Sequence, residues 1–269
     1  MPTSLYLDSL RPRGPLDGRA EFPFTLPLIR DLGELRFTAP VTFFVGENGS
    51  GKSTLLEAIA VGMKAVAMGS ADLTRDPTLA PARALAASLV FARRRAPKRK
   101  AFLRAEDVFG FQKRMATEMD DLADLGAHYR ATMRAGSYGQ KLAMGVARGQ
   151  KGALESAYGA NPDAGSHGET FLALMQKRLK PAGLYFLDEP ETPLSPQRQL
   201  ALLAILKRAV AEDCQCVIAT HSPILMALPG AAIWLFEGGR IRPVAWDETE
   251  HVALTRAFLA SPRRFLDKL

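Results

Sequence analysis

At 269 residues and 47% apolar, the chain is long enough to bury a substantial core, as one domain or as one domain with an insert. No run approaches 18 uninterrupted apolar residues, which excludes an apolar membrane-spanning helix, and the first residues, MPTSLYLDSLRPRG, lack the layout of a secretion signal, so the expectation is a cytoplasmic protein without membrane insertion. The net charge of +7 is local: RRRAPKRK, Arg93 to Lys100, holds six cations and no anion, and without it 29 cations face 28 anions. The two cysteines, Cys214 and Cys216, have no second pair to complete a metal site and read as reduced thiols in apolar surroundings.

Residues 3 to 45 read as short strands broken by Pro and Gly: SLYLDSL, EFPFTLPLI, LRFTA and VTFFV. Tyr6, Phe22 and Phe24 are candidates for stacking on a base ring, against the commoner fate of core packing. The strand VTFFV runs into GENGSGKST, which fits G-x-x-x-x-G-K-[ST] with Gly46, Gly51, Lys52 and Ser53 in the defining places. Glycines allow a turn tight enough for the amides of Gly46, Glu47, Asn48, Gly49, Ser50, Gly51 and Thr54 to converge on phosphate oxygens. A helix expected from Lys52 to Met68 adds its N-terminal N–H groups and dipole. Lys52 is expected to reach the β- and γ-phosphates, and the Ser53 hydroxyl to take one place on Mg²⁺.

Two strand-like runs, SLVFA and AFLRAE, bracket the cationic cluster, and Pro97 at its centre suggests a hairpin tip that is either solvated or faces nucleic-acid phosphate. From Asp107 to Leu154 the pattern is helical, with Met115, Met119 and Leu122 at i, i+4 and i+7, and no sustained heptad. SYGQKLAMGVARGQKG and SAYGANPDAGSHGE read as a glycine-rich mobile region. The segment SHGETFLALMQKRL starts a helix, with Ser166 and Glu169 forming a Ser-x-x-Glu capping box. The strand LYFLDEPE ends in Asp188 and Glu189, Ser195 and Pro196 open the helix QRQLALLAILKRAV, and a further strand, CVIAT, leads to His221. IWLFE, RIRPVA and a helix from Glu248 to Ala260 follow. Strands alternating with helices argue for a mainly parallel α/β sheet with its site at the strands' carboxyl ends. There Asp188 would hold Mg²⁺, Glu189 would orient or deprotonate a water, and His221 stands where a γ-phosphate sensor would sit.

GENGSGKST, SHGE, LYFLDEPE, LSPQ and THSP occur in the order seen in ABC-type ATPases, and the chain resembles that family over residues 41 to 223. More narrowly, FLRAE, SHGE, DEPE-x-x-LSPQRQLALL and ATHSPI resemble small, soluble, bacterial AAA-family ATPases distantly related to chromosome-structuring and break-repair ATPases. The resemblance implies a P-loop, ABC-ATPase-like fold: a mainly parallel sheet, an antiparallel β edge and a helical lobe (107–165) inserted in a single domain (1–269). It also implies ATP hydrolysis with Mg²⁺ in a head-to-tail homodimer, with Ser166 and Gly168 touching the γ-phosphate held by a partner copy. The signature departs from Leu-Ser-Gly-Gly-Gln at Gly165, His167 and Glu169. The glutamine that usually links Mg²⁺ to the helical lobe has no obvious counterpart; Glu106 is the first candidate and Gln112 the second. Three settings stay open: a dimerising switch in DNA maintenance or defence, with another protein partner unspecified; a transporter's nucleotide-binding subunit; and a regulatory module with negligible turnover.

Overall fold

VTFFVG is apolar at nearly every position, so as a strand it must be covered on both faces, which calls for a sheet between two layers. The computed structural model, which describes residues 5–68, 73, 76–158 and 167–267, builds that arrangement. The strands are β1 (Leu7–Pro12), β2 (Leu35–Arg36), β3 (Val41–Gly46), β4 (Val66–Ala67), β5 (Leu89–Arg93), β6 (Arg99–Arg104), β7 (Gly183–Asp188), β8 (Gln215–Ala219), β9 (Ala232–Glu237) and β10 (Arg240–Val244). The helices are α1 (Pro27–Arg30), α2 (Lys52–Gly62), α3 (Ala80–Ala87), α4 (Ala105–Thr132), α5 (Tyr138–Tyr158), α6 (His167–Arg178), α7 (Pro196–Ala211), α8 (Pro223–Met226), α9 (Glu250–Ala260) and α10 (Pro262–Leu266).

Among the described residues the main sheet has the order β10-β9-β3-β8-β7-β6-β4, parallel throughout except for β10, which returns antiparallel along β9. A second, antiparallel sheet has the order β2-β1-β5. Alternation along the strands divides the core in two. Phe44, Phe186 and Val217 face a layer built from α2, α3 and the antiparallel sheet. Phe43, Val45, Tyr185, Leu187 and Ile218 face a layer built from α6, α7, α8 and Val252 of α9. Buried Gln215 on β8 joins the two sheets: its Oε1 accepts from the N–H groups of Tyr6 and Leu7 at 2.8 and 2.9 Å, and its Nε2 donates to the Leu7 carbonyl at 2.9 Å. A side chain thereby supplies what a neighbouring strand would otherwise supply.

Local structure differs from the expectations in several places. EFPFTLPLI is turn and short helix rather than strand, because Pro23 and Pro27 remove ladder donors. The helix after the phosphate loop stops at Gly62, and Val66 and Ala67 form an edge strand beside β6. The run AFLRAE leaves its strand at Arg104, so Glu106 sits in the first turn of α4. Glycine-rich SYGQKLAMGVARGQKG is largely helical, within α5, while residues 159–166 of the second glycine-rich run lie outside the described residues. Packing of α5 on α4 outweighs its poor propensity, with Met119 and Ala147 buried between the two helices. The turn joining them is closed by Gln140, whose Oε1 accepts from Gly136 N–H and whose Nε2 lies 3.3–3.4 Å from the carbonyls of Tyr129, Arg130 and Met133.

The cationic cluster is not a hairpin tip. β5 pairs with β1 in one sheet and β6 with β7 in the other, so residues 94–98 cross between sheets. Arg94 Nε sits 2.7 Å from Asp8 Oδ1, and Arg95 forks onto Asp213 with its guanidinium 4.0 Å from the Tyr6 ring centroid. Two of the six cations therefore face carboxylates of this chain. Tyr6 and Phe24 are buried in the core and unavailable for base stacking, whereas Phe22 is 52% exposed. No described helix is long and apolar enough to cross a membrane.

Candidate functional site

The parallel strands β3, β8 and β7 lie side by side, so their carboxyl ends deliver three loops to one place. β3 delivers the glycine-rich turn. Gly51 has φ +95, and a Cβ there would lie 2.8 Å from Leu28 Cδ2; at Gly46 a Cβ would lie 2.3 Å from the Phe236 carbonyl oxygen. Only glycine fits either place. Lys52, buried at the start of α2, donates from Nζ to the carbonyls of Gly46 and Glu47, both at 2.7 Å. Burial pushes its ammonium below the ordinary lysine range, opposed by Glu189, Asp188 and Glu191.

β7 delivers the acidic pair. The Ser53 hydroxyl donates to Asp188 Oδ1 at 3.0 Å, across 135 residues of sequence. Burial pushes the Asp188 carboxyl up to about 7; the Ser53 hydrogen bond opposes the shift, and the nearby charges of Glu57 and Glu189 add to it. Glu189 has φ +46, a backbone strained for a non-glycine residue and held by its N–H donating to Ala219 O at 2.9 Å. Such strain costs about 1–3 kcal/mol and persists where surrounding structure imposes it.

β8 delivers His221. Its backbone N–H donates to Glu191 Oε1 at 2.6 Å, its Nδ1 lies 3.2 Å from His251 Nε2, and its Nε2 lies 3.8 Å from Glu189 Oε1. Burial and the Lys52 charge hold its imidazole below the usual histidine range. Two polar atoms here are buried without a hydrogen-bond partner among the described residues: Ser50 Oγ and His221 Nε2. Burial also pushes the Glu191 carboxyl up. Beside the loop lies a cleft of about 500 Å³, floored by residues 46–50 and walled by Leu26–Leu28, the Gly238–Gly239 turn, Arg242 and His251. That volume lies within the range of small-molecule clefts.

The chemistry of the donors fits Mg²⁺. A hydroxyl and a carboxylate oxygen about 3 Å apart match neighbouring corners of an octahedron with 2.1 Å bonds. A buried carboxylate whose ionisation is opposed by Glu57 and Glu189 is also a place where a cation gains energy. No described group of three His, Cys, Asp or Glu surrounds a single point, so such an ion would take its remaining ligands from water and substrate.

The structure thus brings residues 46–54, Asp188, Glu189 and His221 together. Gly168 lies apart from these contacts, on α6, where a Cβ would meet Arg198 Cδ at 2.8 Å and the Pro193 carbonyl oxygen at 2.9 Å. Glu169 pairs with Arg198 at 2.8 Å. Ser166 and the side chains of Glu106 and Gln112 lie outside the described residues. Sequence reasoning missed Glu191, although it stands inside the quoted DEPE, and His251, which no spacing in the sequence links to His221. Cys214 and Cys216 are free, buried thiols, both pushed up chiefly by burial.

Two segments match family models: residues 26–73 match one described as "AAA domain", and residues 170–227 match one described as "AAA domain, putative AbiEii toxin, Type IV TA system". No curated protein matches the chain. Among solved structures, the chain is similar to "An inward-facing conformation of a putative metal-chelate type ABC transporter" (17% identity, 96% of this chain and 90% of that chain, TM-score 0.46). It is similar to "Structure of ATP binding subunit of ABC transporter" (17%, 94% and 93%, TM-score 0.43). It is also similar to "SMC head domain from Thermotoga maritima" (17%, 90% and 100%, TM-score 0.40).

Proposed function

We propose that this chain is an ABC/AAA-type ATPase domain that binds ATP with Mg²⁺ and hydrolyses the terminal phosphoanhydride by direct attack of water; two segments of it match AAA-domain models. The observation that carries the reading is the Ser53–Asp188 hydrogen bond, which joins the phosphate-loop helix to the acidic strand end. Each of the two lies in a different AAA-model segment.

In this reading the amides of residues 46–54 and the Lys52 ammonium hold the phosphates, the ammonium turning from the Gly46 and Glu47 carbonyls toward the stronger acceptor. The buried Ser50 hydroxyl, unpartnered among the described residues, is a further donor on the same loop. Ser53 and Asp188 would hold Mg²⁺, with Glu106 a third candidate ligand, and the ion would supply neutralisation of phosphate charge. Glu189 accepts the proton of the attacking water, and His221 steadies the γ-phosphate. The cleft beside residues 46–50 takes the nucleoside. α4 and α5 form the helical lobe of a single domain, and two copies close head to tail over two ATP molecules, each lending Ser166 and Gly168 to the other. The setting is a soluble switch in DNA maintenance or defence. The other four cations of the 93–100 segment are its candidate nucleic-acid contact.

The test is phosphate release and light scattering on the wild-type chain, Lys52→Ala and Glu189→Gln, with and without MgATP. Release by the wild type, none by Lys52→Ala, and an ATP-dependent doubling of mass in Glu189→Gln support the reading. Nucleotide binding without release would make the chain a regulatory module, and stable co-purification with a membrane protein would make it a transporter subunit.

A further inference from the structure

His221 reaches the site with one ring nitrogen, and a second histidine holds the other. Its Nδ1 lies 3.2 Å from Nε2 of His251, in the first turn of α9, with the rings tilted at 57° and centroids 5.2 Å apart. Two imidazole nitrogens at that separation share one proton: one donates and the other accepts. His221 Nε2, on the far side of the ring, is buried, lacks a hydrogen-bond partner among the described residues, and faces Glu189 Oε1 at 3.8 Å.

Those two contacts select one arrangement. A carboxylate accepts only, so a bare lone pair on Nε2 would face negative charge, whereas an N–H there is stabilised by it. Carrying protons on both nitrogens is disfavoured by burial and by the Lys52 ammonium. Nε2 therefore keeps the single proton, Nδ1 is bare, and His251 Nε2–H must be the donor between the rings.

We propose that His251 is a positioning residue for His221: it fixes the Nε2–H tautomer and the ring plane, so that the proton points into the site. The inference rests on the ATPase reading for its kinetic consequence, but not for its structural content. His251 also lines the cleft beside residues 46–50, and Val252, next to it, is buried in the core that α9 covers. A displacement of α9 would therefore reach the proposed phosphate-sensing nitrogen through one hydrogen bond, giving α9 a direct hold on turnover.

The experiment uses the full chain with ¹⁵N-labelled histidine. Nitrogen shifts of the nucleotide-free protein report the His221 tautomer directly, whether or not the protein hydrolyses ATP. The wild type should show His221 protonated at Nε2, and His251→Leu should lose that single state. His251→Gln, whose amide nitrogen can stand where Nε2 stands, should retain it. In turnover, His251→Leu should lower kcat roughly 10-fold, the scale of one lost hydrogen bond; His251→Gln should restore most of that kcat, while any change in KM for ATP, which His251 can affect from the cleft wall, is common to both variants. Protonation of wild-type His221 at Nδ1 overturns the inference. So does wild-type kcat in His251→Leu, or equal losses in the Leu and Gln variants with the tautomer unchanged. Absence of turnover in every form, with the tautomers as expected, would refute the ATPase reading and leave the histidine pair standing.

Discussion

Replacing Asp188 with asparagine separates the stability of the fold from the use of the site. The native carboxyl is pushed up to about 7 by burial, from 3.8 in the open chain. A carboxylate whose folded value is raised takes up a proton on folding, so its contribution weakens the fold as pH rises from the lower value to the higher. The cost is nil below about pH 4 and complete above about pH 7. Roughly three pH units at 1.36 kcal/mol each give a penalty of about 4 kcal/mol at pH 8, and well under half of that at pH 5. The amide in Asp188→Asn would keep an acceptor for the Ser53 hydroxyl and carry no charge. Urea unfolding without nucleotide should show Asp188→Asn more stable than wild type by up to about 4 kcal/mol at pH 8, with the advantage shrinking toward zero near pH 4. Adding MgATP should shrink or reverse that advantage, because the wild type, with a carboxylate for the ion, gains more binding energy than the amide variant. An advantage that is flat with pH, or a variant weaker than wild type at pH 8, would refute the electrostatic account. An equal MgATP gain in both proteins would remove Asp188 from the metal site.

Glu189→Gln should keep ATP binding while turnover falls roughly 10²–10⁴-fold, the scale for a positioned general base, as read by phosphate release beside nucleotide-binding titration. Gly51→Ala should abolish MgATP binding by calorimetry, since the position has φ +95 and a Cβ would press on Leu28; full binding would refute the demand for glycine there. Gln215→Leu should cost roughly 3–5 kcal/mol in chemical denaturation, because three buried backbone groups lose their partner at about 1–3 kcal/mol each, partly offset by the apolar replacement; a loss under about 1 kcal/mol would mean that the sheets are not joined through it. Arg95→Ala should destabilise by about 1–2 kcal/mol, through the Asp213 fork and the Tyr6 contact, with the loss shrinking in high salt.

Local chemistry and its order along the chain were legible in the residues alone. A turn fitting G-x-x-x-x-G-K-[ST] must come between a strand and a helix, and both are there, because glycine's freedom and the helix N-terminus are local properties. The apolar runs before Asp188 and His221 are buried strands for the same reason, since a run with no polar face can only be central. Whatever depends on which strands become neighbours waited for the three-dimensional packing. Packing split SLVFA and AFLRAE between two sheets, so the cations that look like a hairpin tip became a crossing, two of them paired with Asp8 and Asp213. It made a helix of a glycine-rich stretch, because burial against α4 outweighs propensity. It also carried His251 from a C-terminal helix to within 3.2 Å of His221. No spacing encodes that contact, which exists only because α9 packs over the same face of the sheet that ends at the site.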